Sequence, residues 1–526
     1  MGTDGVCYFP DLIFPFLMHV LRNTGILVAS VILLLVNTGC QTMQAAWKKE
    51  VSLDYIAELA SDLAQDPYDD SWGEVPEFLA DLSYDEFHRI RFRPEESLWG
   101  KDALPFQVRF FHPGSIYRRA VRIHEFTSSH VQQIRFVRNF FDYSGQEDLA
   151  NRVPSSLGYS GFSIFSPINR DGEMNECVVF LGSNYFRVVG AHQHWGLSAR
   201  GLALNAGTDL EEEFPEFREF WLEKPQPGAS SMRVLALLDS PSVTGAYEFI
   251  ITPSNTTTVR VKSRLFFRKK VAHVGLAPLS SMFYFGENSV GKPFDFRTEI
   301  HDSDGLLLDY GNDCEWHPLA NPAAYRNQYI NTVELKAYGL MQRDQVFEDY
   351  QDIQAEYHRR PSVWITPINM PLGQIVLHEF HTDSEYNDNV ALYWEPQVNL
   401  MTQLPFACEY ELKFTRDLMS RTGRVAATRV GKTVQNGEPV YQVIVDFDGE
   451  KLRQIVPMEH DVLAHIDTGE GIELLNSVLV KNPFNDQWRL TLVLRIPEGH
   501  YGSPIRAFLT LDGEKTTETW SYQWIE

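Results

Sequence analysis

The stretch "TTTVRVKSRLFF", residues 256–267, reads as a β-strand, rich in the β-branched and aromatic types that a pleated surface favours. "FQVRFF" (106–111), "CVVFLG" (177–182) and "RVLALLD" (233–239) read the same way. Gly, Pro, Asn and Asp separate these runs at short intervals from about Leu104 to Val271. That pattern predicts a mainly β fold whose N-terminal part, residues 45–396, is a large antiparallel β-sandwich of short strands.

The pattern changes near residues 396–402. From Tyr410 onward apolar residues alternate: "YQVIVDF" (441–447), then Trp488, Leu490, Leu492, Leu494 and Ile496, then Trp520, Tyr522 and Trp524. Alternation without a strong helix predicts a smaller, immunoglobulin-like sandwich over 402–526. Two helices are expected. Ile56, Leu59 and Leu63 recur at helical spacing between Ser52 and Gln65, stopped by Pro67. In "RDQVFEDYQDIQAEYHRRP" (343–361), Val346, Phe347, Tyr350, Ile353 and Tyr357 share one face, and Pro361 ends the run.

With 526 residues the chain is too long for one ordinary core, so two domains are expected. Its formal net charge of −24 argues against binding to nucleic acid or to anionic lipid. A neutral ligand fits better, and 22 Tyr and 11 Trp supply flat apolar faces for one. The apolar run Gly25–Val36 has signal-peptide length and is too short to span a membrane. It leads into "NTGC", ending at Cys40, which resembles the site at which bacterial lipoproteins are cleaved and lipidated. Residues 1–40 are therefore expected to be a signal peptide, with Cys40 anchored in a membrane facing the periplasm, the outer one by preference. Cys177, Cys314 and Cys408 are widely spaced and imply no disulfide framework.

Candidate chemistry centres on acids. "HDSDG" (301–305) presents Asp302 and Asp304 beside the apolar run Leu306–Leu308. "TDSEYNDN" (382–389) presents Asp383, Glu385 and Asp388 just before an apolar strand. A calcium loop needs a longer ladder of oxygen ligands than "HDSDG" has. "HEFH" (378–381) spaces its histidines three apart in a strand-like context, unlike a helical zinc pair. No metal and no cofactor is therefore expected. Glycoside hydrolysis needs one protonated acid and one ionised carboxylate, and two acid-bearing loops at strand ends offer both. Sugar rings stack on aromatic faces, and guanidinium groups bind hydroxyls. Tyr185, Arg187, His194 and Trp195 in "NYFRVVGAHQHWGLSARG" (184–201) are candidates, with Arg343, Tyr350, Trp364 and Trp394 nearer the acidic loops. Taken one at a time, each aromatic is better explained as core.

Long motifs point further. "LSYDEFHRIRFRPEESLW" (82–99), "FLGSNYFRVVG" (180–190), "GLSARGLAL" (196–204), "EEFPEFREFWLEKP" (212–225), "GLMQRDQVFEDYQD" (339–352), "RRPSVW" (359–364), "NDNVALYW" (387–394) and "TETWSYQW" (517–524) resemble the periplasmic glucan biosynthesis proteins G and D of Gram-negative bacteria. The resemblance runs from about residue 50 to the end. It implies a large β-sandwich joined to an immunoglobulin-like domain, and work on periplasmic glucans with β-1,2-linked glucose backbones. For some members it implies an inverting glycoside hydrolase or transglycosylase. Carried over by motif, Asp388 would be the general acid and Asp302, in preference to Asp304, the general base. Tyr357 would order the proton path, and Glu385 would lie beside the acid. The alternative is a non-catalytic glucan-binding factor or scaffold that assists a membrane glucosyltransferase. "NMPLGQ" (369–374), His378 and His381 depart from the family pattern close to these acids.

Overall fold

Thr257–Phe267 is an eleven-residue strand that buries Val259, Val261, Leu265 and Phe267 at alternate positions. It is hydrogen-bonded on both sides, to Val243–Thr252 and to Phe406–Thr415, so it lies in a sheet interior. In this computed structural model residues 50–524 are described, apart from 399, 401–404, 420–421, 458 and 498–503. The leader and Cys40 lie outside the described residues. Residues 52–127 and 131 onward form one compact unit, which holds every element described below.

Two large sheets make the sandwich. One has fifteen strands, with Thr257–Phe267 near its middle; the other has ten, from Gln107–Phe111 at one edge to Arg326–Asn331 at the other. Aromatic side chains interlock between the layers. Phe162 meets Phe220 edge to face at 5.0 Å, and Phe186 meets Phe249 likewise at 5.3 Å. These rings lie in one large core cluster, and edge-to-face contact suits their quadrupoles. The fold is mainly β, as its alternation requires.

A four-stranded sheet, Arg424–Gln435, Glu438–Asp448, Trp488–Arg495 and Glu473–Lys481, forms a second sandwich. Its buried face, including Val443, Val445, Leu490 and Leu492, packs with Ile505, Leu509, Trp520 and Trp316. Those partners belong to the end of the fifteen-stranded sheet, because Cys314–Pro318 pairs in parallel with Thr519–Tyr522. One sheet thus serves both sandwiches. The strand Phe406–Thr415, expected in the smaller sandwich, instead pairs with Thr257–Phe267 and Ser362–Asn369 in the large one. Alternation shows that a segment is a half-buried strand and carries no information about which layer it joins.

Ser52 caps the helix Leu53–Gln65, its side chain accepting from Tyr55 N at 3.3 Å. Ile56, Ala57 and Ala60 are buried against the large sheet, where Thr244 Oγ1 donates to Ala60 O at 2.7 Å. The second expected helix shrinks to one turn, Phe347–Tyr350, followed later by a 3₁₀ turn at Tyr357–Arg359. Gln351 at φ 57° and Glu356 at φ 44° break it with left-handed backbone. Between them Asp352 Oδ1 accepts from the N–H of Gln354 and Ala355, a side-chain turn that competes with the helical ladder. No helix of the described residues is long and apolar enough to cross a membrane.

Candidate active site

Consecutive carbonyls in the segment Ser281–Phe283 place the two acid-bearing loops. Ser281 O accepts from Asn389 N at 3.0 Å, and Met282 O accepts from Asp302 N at 2.8 Å. Successive carbonyls of an extended chain point in opposite directions, so Asp302 and Asn389 flank the segment on its two sides. Two interstrand spacings separate their backbones, roughly 10 Å. Asn389 locks its loop down. Its Oδ1 accepts from Phe283 N (2.8 Å), and its Nδ2 donates to Phe283 O (3.0 Å) and Phe380 O (2.9 Å). Gly305, just past Asp304, is obligatory in its strand: a Cβ there would lie 2.2 Å from the Trp316 ring.

Asp388, next to Asn389, is open to solvent but walled in by protein. Burial, then the charge of Asp302, pushes its carboxyl up to about 6, against the pull of Arg187, Arg200 and Arg360. Asp302 is buried, and Arg360 Nη1 donates to its Oδ1. The Arg360 guanidinium lies 4.0 Å over the Tyr357 ring. Tyr357 in turn donates its hydroxyl to Glu385 Oε2 at 2.5 Å. Burial and that hydrogen bond raise the phenol far above its ordinary value. Arg297 completes the run, with Nη1 at 2.8 Å and Nη2 at 3.1 Å from Glu385. Tyr357, Arg360 and Glu385 line a cavity of about 560 Å³, a size suited to a small-molecule ligand.

On the other flank, Tyr185 and Arg187 point to the same side of their strand. Burial raises the Tyr185 phenol first; Arg200, 4.9 Å over its ring, lowers it, and Asp388 raises it again. Arg187 Nε donates to Ser198 Oγ at 2.8 Å. The loop carrying His194 and Trp195 lies against the 355–360 segment: His194 N donates to Arg359 O at 3.0 Å, and its ring is 3.6 Å from Glu356. Burial and Arg360 lower the His194 imidazole. Asp302, Asp388, Tyr357, Glu385, Tyr185, Arg187 and the His194–Trp195 loop are thus neighbours.

Five candidates are elsewhere or closed off. Arg343 is buried over the Trp316 ring at 3.6 Å and holds Glu518. Tyr350 is fully buried, stacked on Tyr357 with its hydroxyl on Asp344 O at 3.0 Å. Trp364 is buried in the smaller core, and Trp394 in the larger, its Nε1 on Pro371 O. None of these four offers a face to a ligand. Asp304 faces away from Asp302, accepting from Arg343 N at 2.9 Å. It joins Glu287, Glu299 and Asp344 around His301. Burial pushes Asp304 up to about 6 and Glu287 up to about 7. Burial opposes the His301 cation, but the hydrogen bond to Glu299 and the surrounding acids outweigh it and raise the imidazole.

Glu299, His301 and Asp344 bring ligand atoms within 4.8 Å of one another, spacing that could hold a metal. Both His301 nitrogens are engaged, however: Nδ1 faces Gln342 Oε1 at 2.9 Å and Nε2 faces Glu299 Oε2 at 3.0 Å. Gln342 Nε2 donates to two carbonyls, which fixes Oε1 toward the ring. An imidazole between two acceptors is a cation, with no lone pair for a metal. His378 is likewise engaged, with Asn327 and Tyr393. Sequence reasoning missed Arg360, Arg297, Arg200 and Asn389, although all but Arg297 lie in motifs it singled out.

Residues 51–524 match the family described as "Periplasmic glucan biosynthesis protein, MdoG". The chain belongs to this family. It is 36% identical over 482 residues to the glucans biosynthesis protein G of Ralstonia nicotianae, covering 89% of this chain and 95% of that one. It is 39% identical to the protein of that name from Rhodopseudomonas palustris, over 89% of this chain and 92% of that one. With the Pseudomonas paraeruginosa protein identity is 35%, over 93% and 96%. The acids of the two loops held by Ser281–Phe283 therefore sit within a member of a periplasmic glucan biosynthesis family.

Proposed function

We propose that this protein is an inverting glycoside hydrolase or transglycosylase acting on β-1,2-linked glucan, with Asp388 as general acid and Asp302 as general base. One observation carries the reading. The loops that carry the two carboxylates are bonded to successive carbonyls of one short segment, and the charge of Asp302 helps push Asp388 up to about 6. Inversion needs carboxyl groups about 6.5–9.5 Å apart, with room for a water. Asp388 gives its proton to the glycosidic oxygen as the bond to the anomeric carbon breaks. Water, or a hydroxyl of a second chain in transfer, attacks the opposite face and loses its proton toward Asp302. The Tyr357 hydroxyl, committed as donor to Glu385, keeps its oxygen available to accept and orders the attacking water.

A second reading has an observation in its favour. Arg360 engages Asp302 directly, which occupies a carboxylate oxygen that would have to meet the attacking water and suits a non-catalytic factor that binds glucan emerging from a membrane glucosyltransferase. Release of reducing ends from linear β-1,2-glucan separates the two. The hydrolase reading expects turnover by the wild type and a loss of at least about 100-fold in Asp388→Asn, the lower range for a general acid. Equal rates, or none in the wild type under conditions where it binds glucan, leave the binding factor.

A further inference from the structure

A single guanidinium organises the mouth of the cavity beside the candidate acids. Arg297 binds Asp295, Asp352 and Glu385, each through bonds of 2.8–3.1 Å. It thereby fastens together three segments distant in sequence. Each segment carries a bulky apolar residue next to the anchored one: Phe296 beside Arg297, Ile353 beside Asp352, and Tyr386 beside Glu385. All three line the cavity with Tyr357 and Arg360. All three are exposed, at 75%, 79% and 89%. Scattered exposed apolar residues need no explanation, but three spaced around one polar-floored cavity form a patch, and such patches mark binding sites.

We propose, building on the glucan-acting reading above, that Phe296, Ile353 and Tyr386 form a collar that grips the glucan chain as it leaves the catalytic cavity. The chemistry matches a pyranose, whose axial C–H faces are apolar and whose hydroxyls lie around its edge. A ring laid on Tyr386 or Phe296 buries apolar area at little entropic expense, because the aromatic side chains have few rotatable bonds and their backbones are tied to Arg297. Asp352 remains at hand as an acceptor for the hydroxyls, while all five N–H groups of Arg297 stay with its three carboxylates. The Arg297 guanidinium, 5.5 Å from the Phe296 ring, steadies that platform. Since the collar lies outside the reacting acids, its contribution is made equally to bound substrate and transition state, which appears in KM more than in kcat.

The test uses the full-length protein with long linear β-1,2-glucan and with short oligomers of the same linkage. Phe296→Ala with Tyr386→Ala should raise KM for long glucan by about 10-fold, equivalent to about 1.4 kcal/mol, and change short oligomers less. Tyr386→Phe should behave as the wild type, since the face and not the hydroxyl is used. Phe294→Ala is the control, an exposed aromatic nearby that does not line the cavity. Binding is read separately, as retardation of the protein in gels containing the glucan. A wild type retarded by glucan but unable to cleave it defeats the hydrolase reading alone, and retardation lost in the double variant still supports the collar. Unchanged KM and retardation in the double variant overturn the collar and leave these aromatics to a protein partner. So does a wild type that glucan does not retard.

Discussion

Asp388 and its neighbours show how burial and a short list of charges shift one carboxyl. Burial and the charge of Asp302 push the Asp388 carboxyl up to about 6, above the ordinary 3.8, and as the proposed general acid it must be protonated. Turnover should therefore fall as pH rises through about 6. Arg187 and Arg200 hold the value down, so Arg187→Gln should move that limb upward, measured as kcat/KM across pH 4.5–8.5. A flat profile, or a limb that Arg187→Gln leaves in place, counts against Asp388 as the acid. The acids themselves were legible in "HDSDG" and "TDSEYNDN" as carboxylates at strand ends; which ones pair was not. Asp302 and Asp304 differ by two positions and have opposite fates, one facing Arg360 and the other the buried His301 cluster. Arg360 and Arg297 left no trace of their roles because ion pairing has no sequence period. Trp364, Trp394 and Tyr350 misled for the converse reason, since an aromatic residue looks the same in a core as in a site.

At the scale of elements, the decisive device is the clamp of the 380–389 loop onto Ser281–Phe283. Asn389 makes three side-chain hydrogen bonds there, all in a buried place. Asn389→Ala leaves two carbonyls and an N–H without their partner, and should cost about 1–3 kcal/mol of stability even if water rescues most of them. Activity should fall further than stability does, because Asp388 is the adjoining residue. Asn389→Asp is the sharper variant. A carboxylate still accepts from Phe283 N but cannot donate to Phe283 O or Phe380 O, so it should not rescue either property. Full activity in Asn389→Asp would show that the clamp does not position the acid. Strands and the first helix were readable from residue types and period: Ser52 caps as its type suggests, and Ile56 faces inward. The stretch after Val346 had helical period too, yet Asp352 and two left-handed residues override it. Apolar spacing registers which face would be buried and is blind to a side chain that captures the backbone.

Across the whole molecule, the two sandwiches share a sheet and also a buried knot of charge. Glu287 accepts from Thr428 N at 3.0 Å, reaching from the large sandwich to the four-stranded sheet, and Arg343 reaches from one to Glu518 beside the other. Around this junction Glu287, Asp304 and Asp344 are all raised, in each case first by burial, with neighbouring acids adding to Glu287 and Asp344. A carboxyl whose folded value exceeds its unfolded one binds its proton more tightly when folded. Its contribution is present at low pH and is lost as pH rises toward the folded value. For Glu287 that window runs from the ordinary 4.5 to about 7. Wild-type stability should therefore decline over this range more steeply than stability without that carboxyl. Glu287→Gln keeps an oxygen for Thr428 N–H and cannot ionise. Its unfolding midpoint relative to the wild type should rise between pH 4.5 and 7 and level off above. His301 works in the same direction, its raised imidazole also favouring the folded state at lower pH, and because Glu287 is one of the acids that raise it, part of that effect goes with the carboxyl in the same sense. Midpoints that stay parallel across the range would mean that the Glu287 carboxyl is not a proton-binding part of the junction.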